Sequence, residues 1–152
     1  MANIQLTPEG HTKLQTELQQ IEAEKLPAAK ERLARARSMG DLSENSEYHA
    51  AKDELGFVDG RRREVEEILK QAIVVEKQSD EGTVSMGSTV EAQKDGEKET
   101  FHIVGEFEAD ITNKKLSATS PIGSAFIGHK AGDTVNIEVP AGTITYKIIA
   151  IT

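Results

Sequence analysis

From Tyr48 to Ala72 one stripe of residues, Tyr48, Ala51, Leu55, Val58, Arg62, Val65, Leu69 and Ala72, recurs at alternating steps of three and four, and only Arg62 breaks its apolar character. Such a repeat fits a helix that buries one narrow seam against a partner helix, because about 3.6 residues per turn bring these positions onto one face. Leu14, Leu18, Ile21, Lys25 and Ala28 follow the same alternation earlier in the chain, with Leu33 and Ala36 further along on a less regular face. Thr7 supplies an N-cap, Pro8 a first helical position and Glu9 an early acid, so the first helix is expected to start near Pro8 and to stop at Gly40. Two helices of about 30 residues joined by one short turn must lie antiparallel, each roughly 45 Å long. A helix pair of this kind has little interior for a cofactor, so its function is expected at its surface or its end. Pro27 falls inside the first helix. It should kink the helix or remove a hydrogen bond, at a cost near ~3 kcal/mol in an isolated helix, while the helix continues through it.

After Ser79 the composition turns to Gly, Thr, Val and Ile with turn dipeptides. Ser88 to Gln93 and Thr100 to Val104 flank Lys94-Asp95-Gly96-Glu97, and Thr134 to Val139 faces Thr143 to Ile151 across Pro140-Ala141-Gly142, which predicts two β-hairpins. Between them, Ser120 to Gly128 carries an N-cap serine, a proline at the next position and a closing glycine, the signals of one short helix in which Phe126 and Ile127 are core candidates. The fold class expected is α+β in two domains: residues 1–76 as a long antiparallel helical hairpin, 77–87 as a polar linker, and 88–152 as a small twisted sheet with one helix.

The net charge of −8 argues against broad, unassisted binding to nucleic acid, which needs clustered Lys and Arg. A cut after Glu76 leaves 11 basic and 15 acidic residues before it and 7 and 11 after it, so the acidity is spread over both halves. Without cysteine there is no disulfide or thiolate chemistry. No apolar run approaches the roughly 20 residues needed to span a bilayer, and the first residues lack the pattern of a signal peptide. A cytoplasmic protein with no membrane contact is expected.

The loop between the long helices is Met39-Gly40-Asp41-Leu42-Ser43-Glu44-Asn45-Ser46-Glu47. Two readings of Asp41 and Glu44 stand side by side. Their spacing matches a capping box that would satisfy free amides of the second helix. As hard oxygen ligands at the end of a long helix pair, they could also complete the shell of a magnesium ion held mainly by another molecule, since Mg²⁺ keeps several waters and takes only one or two carboxylates.

The run from Gly40 to Lys52, followed by Gly56-Phe57, closely resembles the tip signature of the GreA/GreB family of bacterial transcript-cleavage factors, nearer to GreA. The resemblance extends to Ala36-Arg37, Arg61, Ile103-Val104-Gly105, Glu108-Ala109-Asp110, Ser120-Pro121-Ile122 and Ile127-Gly128, and so spans nearly the whole chain. It implies an N-terminal coiled coil that enters the secondary channel of RNA polymerase and an FKBP-like C-terminal domain that docks beside the channel entrance. It implies also that Asp41 and Glu44 hold a Mg²⁺ ion shared with the polymerase, which then cleaves the extruded 3′ end of backtracked RNA. On this reading the chain is no enzyme itself but an accessory to the polymerase's two-metal hydrolysis.

The same resemblance makes Arg37 and Lys52, with Arg35 beside them, a basic patch for extruded RNA. By composition alone they are solvated helix charges. Arg61-Arg62-Arg63 is interleaved with acids and is expected to form ion pairs such as Asp59 with Arg63. Tyr48 is expected to pack, His49 to be a surface residue, and Glu47 to add negative charge near Glu44. Ser120, Pro121 and Ile122 either cap the short helix or also form the polymerase-docking surface. The alternative function is a secondary-channel inhibitor without cleavage activity, against which the intact Asp41 and Glu44 argue. An independent prolyl isomerase would need an aromatic pocket, for which only Phe101, Phe107, Phe126 and Tyr146 are available. The free protein is expected to be a monomer.

Overall fold

The computed structural model describes residues 3–40, 44–76 and 82–152. The chain divides into two compact units, Thr12–Gln71 and the combination of Met1–His11 with Ala72–Thr152. These are not the limits 1–76 and 88–152 read from the sequence. A parallel pairing of β1 (Ile4–Leu6) with β2 (Ala72–Val74) brings both ends of the N-terminal stretch into the unit that holds the sheet. Three-residue strands are too short to show a period, so the sequence read them as helix flanks. The later part of the expected linker packs into this unit. Val84 and Met86 are buried, Thr83 bridges Lys130, and the Gly87 amide donates to the Ile103 carbonyl at 2.7 Å. Residues 77–81 lie outside the described residues.

The helical unit contains most of α1 (Pro8–Gln20), a π-helical turn (Ile21–Lys25), α2 (Leu26–Arg37) and α3 (Ser46–Gln71). In the π turn the Leu26 amide donates to the Ile21 carbonyl, five residues back, so one extra residue enters the turn just before Pro27. A proline's ring collides with the carbonyl four residues earlier and it brings no N–H, and the widened turn takes up that misfit without ending the helix. The extra residue also shifts the phase. The buried positions run Leu14, Ile21, Ala29, Leu33 and Ala36, not through Lys25 and Ala28, both of which are exposed. On α3 the buried positions are Ala51, Val65 and Ile68, so the seam ends one residue earlier than Leu69, and Ala72 belongs to β2. Ion pairs fix the sense of the pairing: Glu17 meets Arg61, while Arg32 meets both Glu47 and Glu54. Partners descend along α3 as they ascend along α1 and α2, so α3 runs against them.

In the other unit, β3 (Thr89–Lys94), β4 (Glu97–Val104), β5 (Lys115–Ser117), β6 (Thr134–Val139) and β7 (Gly142–Ile151) form one sheet in the order β5-β4-β3-β7-β6. Both expected hairpins form. In the first, Lys94 pairs with Glu97, and Asp95 and Gly96 both take positive φ (52° and 82°), the turn whose twist suits paired strands. The hairpins join through β3 and β7, and β5 adds in parallel to β4 after two short 3₁₀ turns. Val90, Ala92, Phe101, Ile103, Val135, Ile137, Tyr146 and Ile148 alternate along their strands onto one face. The helix α4 (Pro121–Phe126) contributes Phe126 to the core on that face.

Candidate functional site

The end of the helix pair is built by Asn45. Its side-chain Oδ1 accepts from the Tyr48 amide at 3.0 Å, which is the N-cap geometry for a helix beginning at Ser46. Its Nδ2 donates at 2.9 Å to the carbonyl of Ala36. That carbonyl belongs to the last turn of α2, beyond the regular helical ladder, where it also accepts from the Met39 amide at 3.2 Å. One side chain thus ties the end of α2 to the start of α3. Gly40, at φ +115°, takes a backbone conformation that only glycine adopts freely. Glu44 precedes the cap, outside the helix, and is exposed. A capping box with Glu44 at the third helical position would need the helix to start at Leu42, so the capping reading of Glu44 is overturned. Asp41 lies outside the described residues. An asparagine directly before a helix-forming run is the local signal for this cap.

Below the tip, Arg32 grips Glu47 through two hydrogen bonds of 2.7 and 3.1 Å and reaches Glu54 at 2.6 Å. The Arg32 hydrogen bonds hold the Glu47 carboxyl below the usual carboxylate range. Glu47 is thus engaged by Arg32, which it shares with Glu54, so the three groups together keep one net negative charge below Glu44. Arg32, Arg35, Ala36, Met39 and Glu47 line a shallow depression of about 360 Å³. Arg35 and Arg37 are two residues apart and so about 200° apart round the helix, on opposite flanks. Lys52 and Glu54 are likewise on opposite flanks of α3, and Glu54 faces Arg32. Arg37 and Lys52 thus share one exposed flank, and Arg35 stands on the other with Arg32. The patch of three basic residues resolves into two sides.

Tyr48 packs against the small cluster of Leu33, Ala36 and Ala51, as expected. Arg63 pairs with Asp59 at 2.7 Å, and Arg62 pairs with Asp59 and Glu66. In the sheet-bearing unit the Ser120 hydroxyl accepts from the Gly123 amide at 3.0 Å and donates to the Ser117 carbonyl at 2.7 Å. Pro121 is exposed and Ile122 is half-buried against the core. Ile127 is 40% exposed, which corrects its assignment to the core; the chain leaves helical geometry there at ψ 134°. Phe101, Phe126 and Tyr146 pack on one another within the core, and Phe107 is half-exposed. A further polar contact escaped sequence analysis: Glu108 accepts from the amides of Thr7 and Gly105 and from the Thr7 hydroxyl, fastening β1 beside a 3₁₀ turn. Partners 101 residues apart leave no local signal.

No helix among the described residues is long and apolar enough to cross a membrane. Residues 4–74 match the family pattern described as the N-terminal part of a transcription elongation factor, and residues 78–152 match that of the C-terminal part of the GreA/GreB transcription elongation factors. Transcription elongation factor GreA of Listeria welshimeri is 45% identical over 150 residues, covering 97% of this chain and 94% of its own. Its namesake from Thermotoga neapolitana is 41% identical, covering 100% and 99%. Among solved structures, GreA factor homolog 1 of Thermus thermophilus is 30% identical and covers 99% of each chain, with a TM-score of 0.48 that supports nothing further. With both halves matched in order and full-length relatives above 40% identity, this chain belongs to the GreA/GreB family of transcription elongation factors.

Proposed function

We propose that this chain binds RNA polymerase in the cytoplasm, inserts its helix pair as an antiparallel coiled-coil hairpin through the secondary channel, and stimulates the polymerase's own cleavage of backtracked RNA. The observation that carries this reading is Glu44, exposed just outside a helix whose cap is supplied by Asn45. Its carboxylate is a hard donor of the kind Mg²⁺ accepts, and one or two such groups are all that ion takes. Among the described residues no group of three acidic or histidine side chains could enclose a metal. On this reading Asp41 and Glu44 contribute to an ion shared with the polymerase, which supplies the other ligands. When bound, such an ion would supply one half of a two-metal arrangement in which one ion activates the attacking water while the other stabilises the leaving oxygen, the polymerase holding the first of the two.

The remaining roles belong to this chain's own surface. Arg37 and Lys52, on one flank, attract the phosphates of the extruded RNA 3′ end; Arg35 would contact RNA that crosses the other side. With a net charge of −8 the chain relies on the polymerase to place it on RNA. The C-terminal domain, read as FKBP-like, docks beside the channel entrance through Ser120, Pro121 and Ile122. The free protein works as a monomer.

The test is a backtracked elongation complex incubated with wild-type factor, Asp41→Ala and Glu44→Ala. Shortened transcripts with wild type, and at least a tenfold slower cleavage with either variant at unchanged polymerase affinity, are expected. Wild-type binding without shortened transcripts would replace this reading with a channel-blocking inhibitor, and full cleavage by either variant would remove the metal-ligand role.

A further inference from the structure

We infer that Asn45 is a positioning residue for the cleavage reaction: by tying the ends of α2 and α3 together it sets where Glu44, the residue directly before it, presents its carboxylate. The inference rests on the proposed function of Glu44 and goes beyond it in naming what holds that residue. Two hydrogen bonds from one side chain carry it. The Oδ1 contact with the Tyr48 amide caps α3, and any good N-cap residue would satisfy it. The Nδ2 contact with the Ala36 carbonyl does more, since it joins residues nine apart and links the cap of α3 to the end of α2. An amide side chain supplies the donor and the acceptor on separate atoms. Glu44 is the adjacent residue, so a change in the position of Asn45 is passed directly to it through the backbone. Both helix ends are themselves held a turn below by the Arg32 bonds to Glu47 and Glu54, and Tyr48 packs against Ala36 and Ala51. Among the described residues Asn45 is the last such tie before the exposed acid.

Reaction rates fall by about a hundredfold when a reacting group is misplaced by about 1 Å, so a lost tie should appear in the chemical step and not in binding. The experiment uses the full-length factor and a backtracked complex, measuring cleavage against factor concentration and against Mg²⁺ concentration. Asn45→Ser keeps a capping hydroxyl, but its side chain is too short to reach Ala36. It should fold with wild-type helix content and give the same half-saturating factor concentration. Its maximal cleavage rate should fall about tenfold or more, and the Mg²⁺ requirement should rise. Asn45→Asp, a strong N-cap that cannot donate to Ala36, is the second variant and should show the same split. If either folded variant cleaves at the wild-type maximal rate and Mg²⁺ midpoint, or loses only affinity for polymerase, Asn45 is a cap and the inference fails. Glu44→Ala run alongside separates the two levels. Full cleavage by Glu44→Ala sinks the metal-delivery reading and this inference with it, whereas loss with Glu44→Ala and retention with Asn45→Ser sinks only the inference.

Discussion

Phe126 is the side chain through which α4 enters the core of the sheet-bearing unit, and its truncation should be among the most costly single changes there. It is fully buried, with its ring 6.0 Å from that of Phe101 and 5.5 Å from that of Tyr146. Shortening a buried phenylalanine to alanine costs roughly 3–5 kcal/mol, the transfer free energy of the lost ring plus that of the cavity left behind. Phe126→Leu retains most of the volume and loses two aromatic contacts of about 0.5–1.5 kcal/mol each, so it should cost roughly 1–3 kcal/mol. The chain has two tyrosines and no tryptophan, and Tyr48 lies in the helical unit while Tyr146 lies beside Phe126. In a Tyr48→Phe background, tyrosine fluorescence therefore follows the sheet-bearing unit alone, which avoids treating a two-unit chain as one transition. With a urea dependence of about 2 kcal/mol per molar, Phe126→Ala should lower the midpoint by roughly 2 M and Phe126→Leu by about half that or less. A cost below about 1.5 kcal/mol for Phe126→Ala, or equal costs for alanine and leucine, would refute the account of a packed aromatic centre.

The pairing of Glu17 with Arg61, through contacts of 2.6 and 2.9 Å, predicts an acid-sensitive contribution in the helical unit. The Arg61 hydrogen bonds hold the Glu17 carboxyl below its ordinary value of 4.5, so the stabilisation is complete above about pH 4.5 and fades as pH falls through the lowered value. Because both side chains are partly exposed, Arg61→Gln should cost only about 0.5–1 kcal/mol at pH 7 and progressively less as pH falls below 4.5, read from urea midpoints followed at Tyr48; a cost that did not change with pH would show that Arg61 acts through packing. Ser120→Ala should cost about 1 kcal/mol through the lost cap on Gly123, whether or not Ser120 also meets polymerase. An unchanged midpoint followed at Tyr146 would contradict the capping role, and a loss of polymerase affinity by the fully folded variant would support docking.

Local chemistry made much of this fold readable. The Asp95-Gly96 and Pro140-Ala141 turns, the Ser120 cap and the Thr7 cap are each specified by residues within a few positions of one another, and each was anticipated. The failures share a different character. The parallel pairing of β1 with β2, the burial of Val84 and Met86, and the Glu108 contacts to Thr7 all join segments distant in sequence through strands or loops too short to carry a period. The phase slip at Ile21–Lys25 is intermediate. Pro27 announced a local disturbance, but whether the helix would kink or gain a residue depends on which outcome keeps Ala29, Leu33 and Ala36 in the seam. A π turn does so, since adding one residue per turn moves the stripe from Lys25 and Ala28, where burying a charge would be costly, to apolar positions one step on.

At the tip, sequence spacing offered one pair of acids for two tasks, capping a helix and binding a metal. Had Glu44 capped α3, its carboxylate would have been occupied by backbone amides, and each encounter with a metal would have had to break that contact first. Asn45 carries the cap instead, and Arg32 occupies the next acid, Glu47. Among the described residues Glu44 is thus the tip carboxylate left to act on something outside the chain. The division follows from side-chain chemistry: an amide both donates and accepts and so can join two helix ends, a carboxylate gripped by an arginine has its oxygens engaged, and a carboxylate exposed before a capped helix leaves its oxygens for a partner.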